Sequence, residues 1–160
     1  MFKSVLVAVD GSDHSKRAVA CAASIAGKFD AQLIVMHVMK HIGSDRVPKS
    51  LKHLARIEHI EVSEADILQS TADGITTEAR DLAETNGAID IETIVETGDP
   101  ADRIVEYCNA RNVDLVVMGR RGLGDVASLL LGSVSHKLAQ RTSSACLTVP
   151  PQRISLSQFT

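Results

Sequence analysis

Five short aliphatic runs punctuate this chain, at 4–9, 32–38, 89–95, 113–118 and 145–149. The stretches between them repeat apolar residues at three- and four-residue spacing, the period of a helix lying on a sheet. Ser4 to Val9 is almost continuously apolar, as a strand covered on both faces must be. Strands alternating with helices build a parallel sheet through right-handed crossovers, with helices on both faces. The pattern therefore predicts one open, doubly wound α/β unit, with no second domain and no long internal repeat.

The helix signals fit that frame. Asp10-Gly11-Ser12-Asp13 is a turn in which Ser12 or Asp13 can cap a helix running to about Phe29. Its alanines, Ala18, Ala22, Ala23 and Ala26, suit close packing on a sheet. A longer helix over roughly Glu61 to Thr85 presents Ala65, Leu68, Ala72, Ile75, Ala79 and Leu82, and Asn86-Gly87 stops it. This repeat is too short and alanine-rich for a coiled coil, so packing on the sheet is expected. Lys49 to Ile57 reads as a short helix. Ile89 to Val95 alternates enough to sit at an edge, with Ile89, Ile91, Thr93 and Val95 sharing a face. Asp99 caps the next helix, Pro100 takes its first position, and Ile104, Val105 and Cys108 face inward. A last helix spans about Ser133 to Gln140, and Ile154 to Thr160 is a tail with weak strand character.

Bulk properties exclude several classes of function. The 160 residues suit one domain with a substantial core, and a net charge of -3 exerts no general pull on nucleic acid or anionic membrane. The aromatic residues are Phe2, Phe29, Tyr107 and Phe159, too few for a single-strand stacking platform. No apolar run approaches the roughly 20 residues of a membrane helix. The N-terminal run ends early at Asp10-Gly11 and lacks a signal-peptide layout, which predicts a cytoplasmic protein. Cys21, Cys108 and Cys146 are widely separated and read as three small core residues. The segment Lys40, Arg46, Lys49, Lys52 and Arg56, with His41, His53 and His59 interspersed, reads as a solvated basic face.

Chemistry concentrates at strand ends. Gly119 closes the fourth run, and the spacing is Gly119, two residues, Gly122, nine residues, Gly132-Ser133. A strand end, a glycine-bearing loop and a helix start together make a phosphate cradle. Glycine permits close backbone approach, and helix N-terminal amides favour an anion. Asp10 follows the first strand and Val38 ends the second. In doubly wound sheets ligands sit beyond the carboxyl ends of strands, where strand order reverses. The three ends converge if the first and fourth strands are central neighbours. Asp10 can then accept from a ribose hydroxyl or help hold a hydrated divalent ion. The Val38 backbone can meet an adenine edge, and Gly119, Gly122, Gly132, Ser133, Val134 and Ser135 can surround phosphates. Arg120 and Arg121 add positive charge beside the same loop.

Other chemistries lack their residues. The framework is not Gly-x-x-x-x-Gly-Lys-Ser/Thr, so the phosphate-loop lysine is missing, and the first turn is not Gly-x-Gly-x-x-Gly. The histidines make no coherent metal set. Ser133 is not in Gly-x-Ser-x-Gly, and no acid–base pair recommends itself for catalysis.

With these residues in view, the sequence resembles the universal stress protein family in its ATP-binding branch. The resemblance rests on Val5 to Ser12, Leu33 to Val38, Val113 to Gly119, Leu129 to Ser135 and Cys146 to Pro150, and covers nearly residues 1–151. It implies a Rossmann-like, adenine nucleotide alpha hydrolase-like sheet of five parallel strands in the order 3-2-1-4-5. It implies ATP, with Mg2+ or Mn2+, held by Asp10, Gly11, Val38, Met118, Gly119, Arg121, Gly122, Gly132, Ser133, Val134 and Ser135. Asp10 would act on the metal indirectly, through the phosphates. It further implies a homodimer pairing the last strands through Ala145, Cys146, Leu147, Thr148 and Val149, with the tail 152–160 contributing. The expected role is regulatory: nucleotide state modulates a protein partner such as a transporter or kinase. The competing readings are a slow Mg-dependent ATPase or phosphotransfer enzyme, and a nucleotide-independent interaction protein.

Overall fold

A computed structural model describes residues 1–40, 63–120 and 132–150. The expected helix at Lys49 to Ile57, the sites Arg121 and Gly122, and the C-terminal tail lie outside the described residues.

The elements alternate as β1 (Ser4–Val9), α1 (Asp13–Phe29), β2 (Gln32–Met39), α2 (Glu64–Thr85), β3 (Ile91–Thr97), α3 (Pro100–Arg111), β4 (Leu115–Gly119), α4 (Ser133–Arg141) and β5 (Ala145–Val149). They form one five-stranded sheet in the order β3-β2-β1-β4-β5, and each neighbouring pair is parallel. The central strand β1 pairs Val7 with Val35 on one side and with Val117 on the other.

Side-chain alternation along the strands divides the core in two. Val5, Val7, Val9, Leu33 and Val35 pack with Ala18, Ala22 and Ala26 of α1 and with Ala79 and Ala83 of α2. Leu6, Ile34, Met36, Val116 and Met118 pack with Ile104, Val105 and Cys108 of α3 and Leu138 of α4. Full burial of a leucine such as Leu138 stabilises by about 1.5–3 kcal/mol. The alanine face lets α1 approach the sheet closely. Where α1 meets the turn after α2, Gly27 is required, because a Cβ there would lie 2.3 Å from the Gly87 carbonyl oxygen.

Three expectations need correction. β3 begins at Ile91, and Ile89 is 88% exposed. Thr93 is exposed as well, while Ile94 packs on the second core cluster, so this edge strand buries residues on both faces. The cysteines differ from one another: Cys108 is buried, Cys21 is half-buried and Cys146 is exposed. Burial pushes the Cys108 thiol up to about 11. Cys146 is exposed because β5 is the last strand of the sheet; Ala145 beside it is exposed, and Leu147, Thr148 and Val149 are half-buried.

Candidate functional site

Parallel strands with returning helices put every strand's carboxyl end, and the helix starts that follow, on one edge of the sheet. Strand order reverses at β1, between β2 and β4. A cleft of about 500 Å³ opens there, lined among the described residues by the ends of β1, β2 and β4 and by parts of four helices.

From β1 come Ala8, Val9 and Asp10. Asp10 Oδ1 accepts from the Ser12 amide at 3.0 Å and from the Ser12 hydroxyl at 2.6 Å. Ser12 Oγ in turn accepts from the Ser15 amide and caps α1. The carboxylate is thus steered by its own turn, an aspartate bonding the backbone two residues on. Gly11 makes the turn, with φ of +80°. It faces the side chain of Ile75 rather than the main cleft, and a Cβ would stand 3.3 Å from it.

The β2 strand supplies Met36, His37, Val38, Met39 and Lys40. Met36 and Val38 belong to the core cluster under α3 and α4, whereas Val9, paired with His37, belongs to the cluster under α1 and α2. The cleft therefore wraps over the sheet edge and touches both faces.

The opposite wall holds Met118 and Gly119 of β4 with Gly132, Ser133, Val134 and Ser135 at the start of α4. The Ser135 hydroxyl donates to the Gly119 carbonyl at 3.1 Å, clasping the helix start to the strand end. Gly132 is the N-cap, and Ser133 is the first helical residue. This start differs from those of the other described helices. Side chains of Ser12, Ser63 and Asp99 accept from the first-turn amides of α1, α2 and α3, while α4 has no side-chain cap. The first-turn amides of α4 thus receive no acceptor from their N-cap side chain.

Of the residues singled out in the sequence, Asp10, Val38, Met118, Gly119, Gly132, Ser133, Val134 and Ser135 line one cleft. Gly11 lies beside it, and Arg121 and Gly122 fall outside the described residues.

Sequence reasoning missed the walls contributed by Leu68, Thr71 and Ile75 of α2 and by Pro100 and Ile104 of α3. Ile75 packs on the first core cluster, as its place in the apolar stripe predicts, and lines the cleft as well; Leu68 lies on the same stripe. The signal was length: α2 has 22 residues, about 33 Å at 1.5 Å per residue, whereas the eight residues of β2 span about 26 Å. Such a helix overhangs the strand ends, and the overhanging apolar stripe covers the cleft. Pro100 could have been placed by the same strand-end rule that placed Asp10.

Charge in the cleft is sparse among the described residues, with Asp10 and Lys40 of opposite sign. No group of three or more His, Cys, Asp or Glu side chains there could hold a metal ion unaided. No helix among the described residues is long and apolar enough to cross a membrane. Chemically the site offers an apolar slot for a flat ring, backbone at its edge, one carboxylate, and an uncapped helix start for an anion.

Residues 1–150 match the model of the Universal stress protein family. A universal stress protein of Thermus aquaticus is 35% identical over 153 residues, covering 93% of this chain and 99% of that protein. Universal stress protein YxiE of Bacillus subtilis is 33% identical over 152 residues, covering 93% of this chain and 99% of its own length. Among solved structures, a universal stress protein in complex with cAMP matches with a TM-score of 0.70 at 32% identity, over 94% of this chain and 98% of that one.

Proposed function

This chain belongs to the universal stress protein family, and we propose that it binds ATP across the carboxyl ends of β1, β2 and β4 as a regulatory homodimer. The observation that carries the reading is the uncapped start of α4 at Gly132, which shares a cleft with Asp10 and the Val38 backbone. Adenine enters the apolar side of the cleft against Met36, Val38 and Ile104, with its polar edge toward the β2 backbone. Asp10 accepts from the ribose. The amides following Gly132 receive the phosphates. Arg121 and Gly122 complete the phosphate loop.

A divalent ion fits this donor set only in company with the nucleotide. Mg2+ keeps most of its waters and binds through one or two carboxylates plus phosphate oxygens, and Asp10 is the acidic side chain of the cleft among the described residues. Among the described residues of the cleft no acid–base pair is arranged to activate a water, which favours holding the nucleotide over consuming it.

The charge pattern of the two sheet edges supports homodimerisation through β5. β3 carries Glu92 and Glu96, charges that discourage pairing, whereas β5 runs Ala145-Cys146-Leu147-Thr148-Val149 without charge. Nucleotide state then alters the surface around the cleft that a regulated protein reads.

A second reading, cAMP as the ligand, is favoured by the relative solved with cAMP and by the sparse positive charge of the cleft. Titration calorimetry with ATP, ADP, AMP and cAMP, the first with and without Mg2+, tests both. ATP binding tightened by Mg2+ supports the first reading, and preference for cAMP replaces ATP with cAMP. Absence of binding by all four overturns the nucleotide reading. Release of ADP above that of a Gly132→Val control would assign slow hydrolysis as well.

A further inference from the structure

We infer that His37 is a positioning residue for the nucleotide site, locking the spacing between Asp10 and the Val38 backbone. The inference rests on the nucleotide reading above and extends it to a side chain which that reading leaves without a role.

His37 Nδ1 lies 2.8 Å from the carbonyl oxygen of Val9. A carbonyl oxygen only accepts, so Nδ1 carries the proton and donates. Val9 is the last residue of β1 and directly precedes Asp10. His37 directly precedes Val38. Val9 and His37 are also register partners in the β1–β2 ladder. One side-chain bond therefore ties together the two peptide segments that carry the ribose and adenine contacts. It sits where the ladder ends and the chain turns away through Gly11, the place where strand ends fray most readily. A carbonyl in a half-buried site also needs a partner, and the imidazole provides one.

The rest of the first turn hangs from the same point. Asp10 is held to Ser12 by two bonds, and Ser12 caps α1. Those bonds orient the carboxylate relative to its own turn. The His37 bond orients that turn relative to β2. Loss of the Nδ1 donor leaves the turn intact but lets it shift against Val38, so a ligand that must touch both is bound less well.

The test is calorimetric ATP binding by full-length His37→Ala, His37→Asn and His37→Gln, with circular dichroism as the control for folding. The asparagine amide nitrogen falls near the Nδ1 position, whereas that of glutamine falls near Nε2. The expected losses are about tenfold for Ala and Gln, the scale of one hydrogen bond, with Asn within about threefold of wild type. Acting through Asp10 predicts non-additivity: in an Asp10→Asn background, His37→Ala costs less than about twofold. Equal binding by the Asn and Gln variants, or the same tenfold loss in both backgrounds, overturns the inference while leaving the nucleotide reading in place. The Asn–Gln comparison decides the matter even if the Ala variant does not fold. Wild-type protein that binds no ATP overturns both.

Discussion

The amide of Gly132 donates to the carbonyl of Arg120 across 2.8 Å, and the Arg120 amide donates to the Val149 carbonyl, also at 2.8 Å. The chain thus returns to the end of β4 at the point where it left, and α4 starts beside the strand terminus rather than beyond it. That closure brings the first amides of α4 to the same cleft as Asp10.

The missing cap on α4 makes Gly132 a site where stability and binding separate. Aspartate there would supply the side-chain acceptor found at the other helix starts, and its charge suits the helix dipole. It would also occupy the place of a phosphate. We expect Gly132→Asp to keep or raise stability by a few tenths of a kcal/mol while lowering nucleotide affinity at least about tenfold. Urea denaturation and calorimetry on one preparation check both halves.

Two glycines give opposite outcomes for the same substitution. At Gly27 a methyl group would collide with the Gly87 carbonyl oxygen at 2.3 Å, and neither backbone can move cheaply. Gly27→Ala should cost about 2–3 kcal/mol or more. At Gly74, inside α2, a Cβ meets nothing within 4 Å. Gly74→Ala should stabilise by about 0.5–1 kcal/mol through helix propensity. Chemical denaturation of the two variants measures the difference.

Acid stability should depend on Asp114. The Lys3 amide donates to its Oδ2 at 2.7 Å and the Ser4 amide at 3.0 Å, tying the start of β1 to the approach to β4. These amides, Lys3 foremost, hold the carboxyl below the usual aspartate range. A carboxyl lowered on folding stabilises above its unfolded value of about 3.9 and loses that contribution as pH falls through its lower folded value. Asp114→Asn should therefore be less stable than wild type at pH 7, with the gap closing as pH falls below about 4. Denaturation midpoints of both proteins across that range supply the check.

The open edge of β5 predicts the behaviour of an added charge. Cys146 is exposed, so a lysine there leaves the core untouched. Cys146→Lys should abolish the proposed dimer and leave nucleotide affinity within about twofold, because a charge on an edge strand opposes pairing. Sedimentation velocity reads the first effect and calorimetry the second. A variant that sediments as wild type would remove β5 as the interface.

Much of this architecture was legible where local chemistry decides. Ser12 and Asp99 cap their helices, Pro100 begins α3, and β1 and β5 run over the expected residues. Each depends on neighbours in sequence. Edge strand β3 was less legible, because its limits are set by pairing with β2 as far as Met39 and Thr97 rather than by its own apolar residues. Cys146 was misread because an apolar run does not reveal which strand closes the sheet.

The sequence by itself determined the element types, their order and the parallel doubly wound class, and it placed Asp10 just after β1 and Gly119 at the end of β4, with Val38 one residue short of the end of β2. Those follow from periodicity, caps and glycine placement, which act over a few residues. Tertiary structure decided which strand ends meet, that the Ser135 hydroxyl clasps the start of α4 to Gly119, and that His37 bonds Val9. Each of these depends on contacts between elements distant in sequence, and packing sets such distances where no local pattern records them.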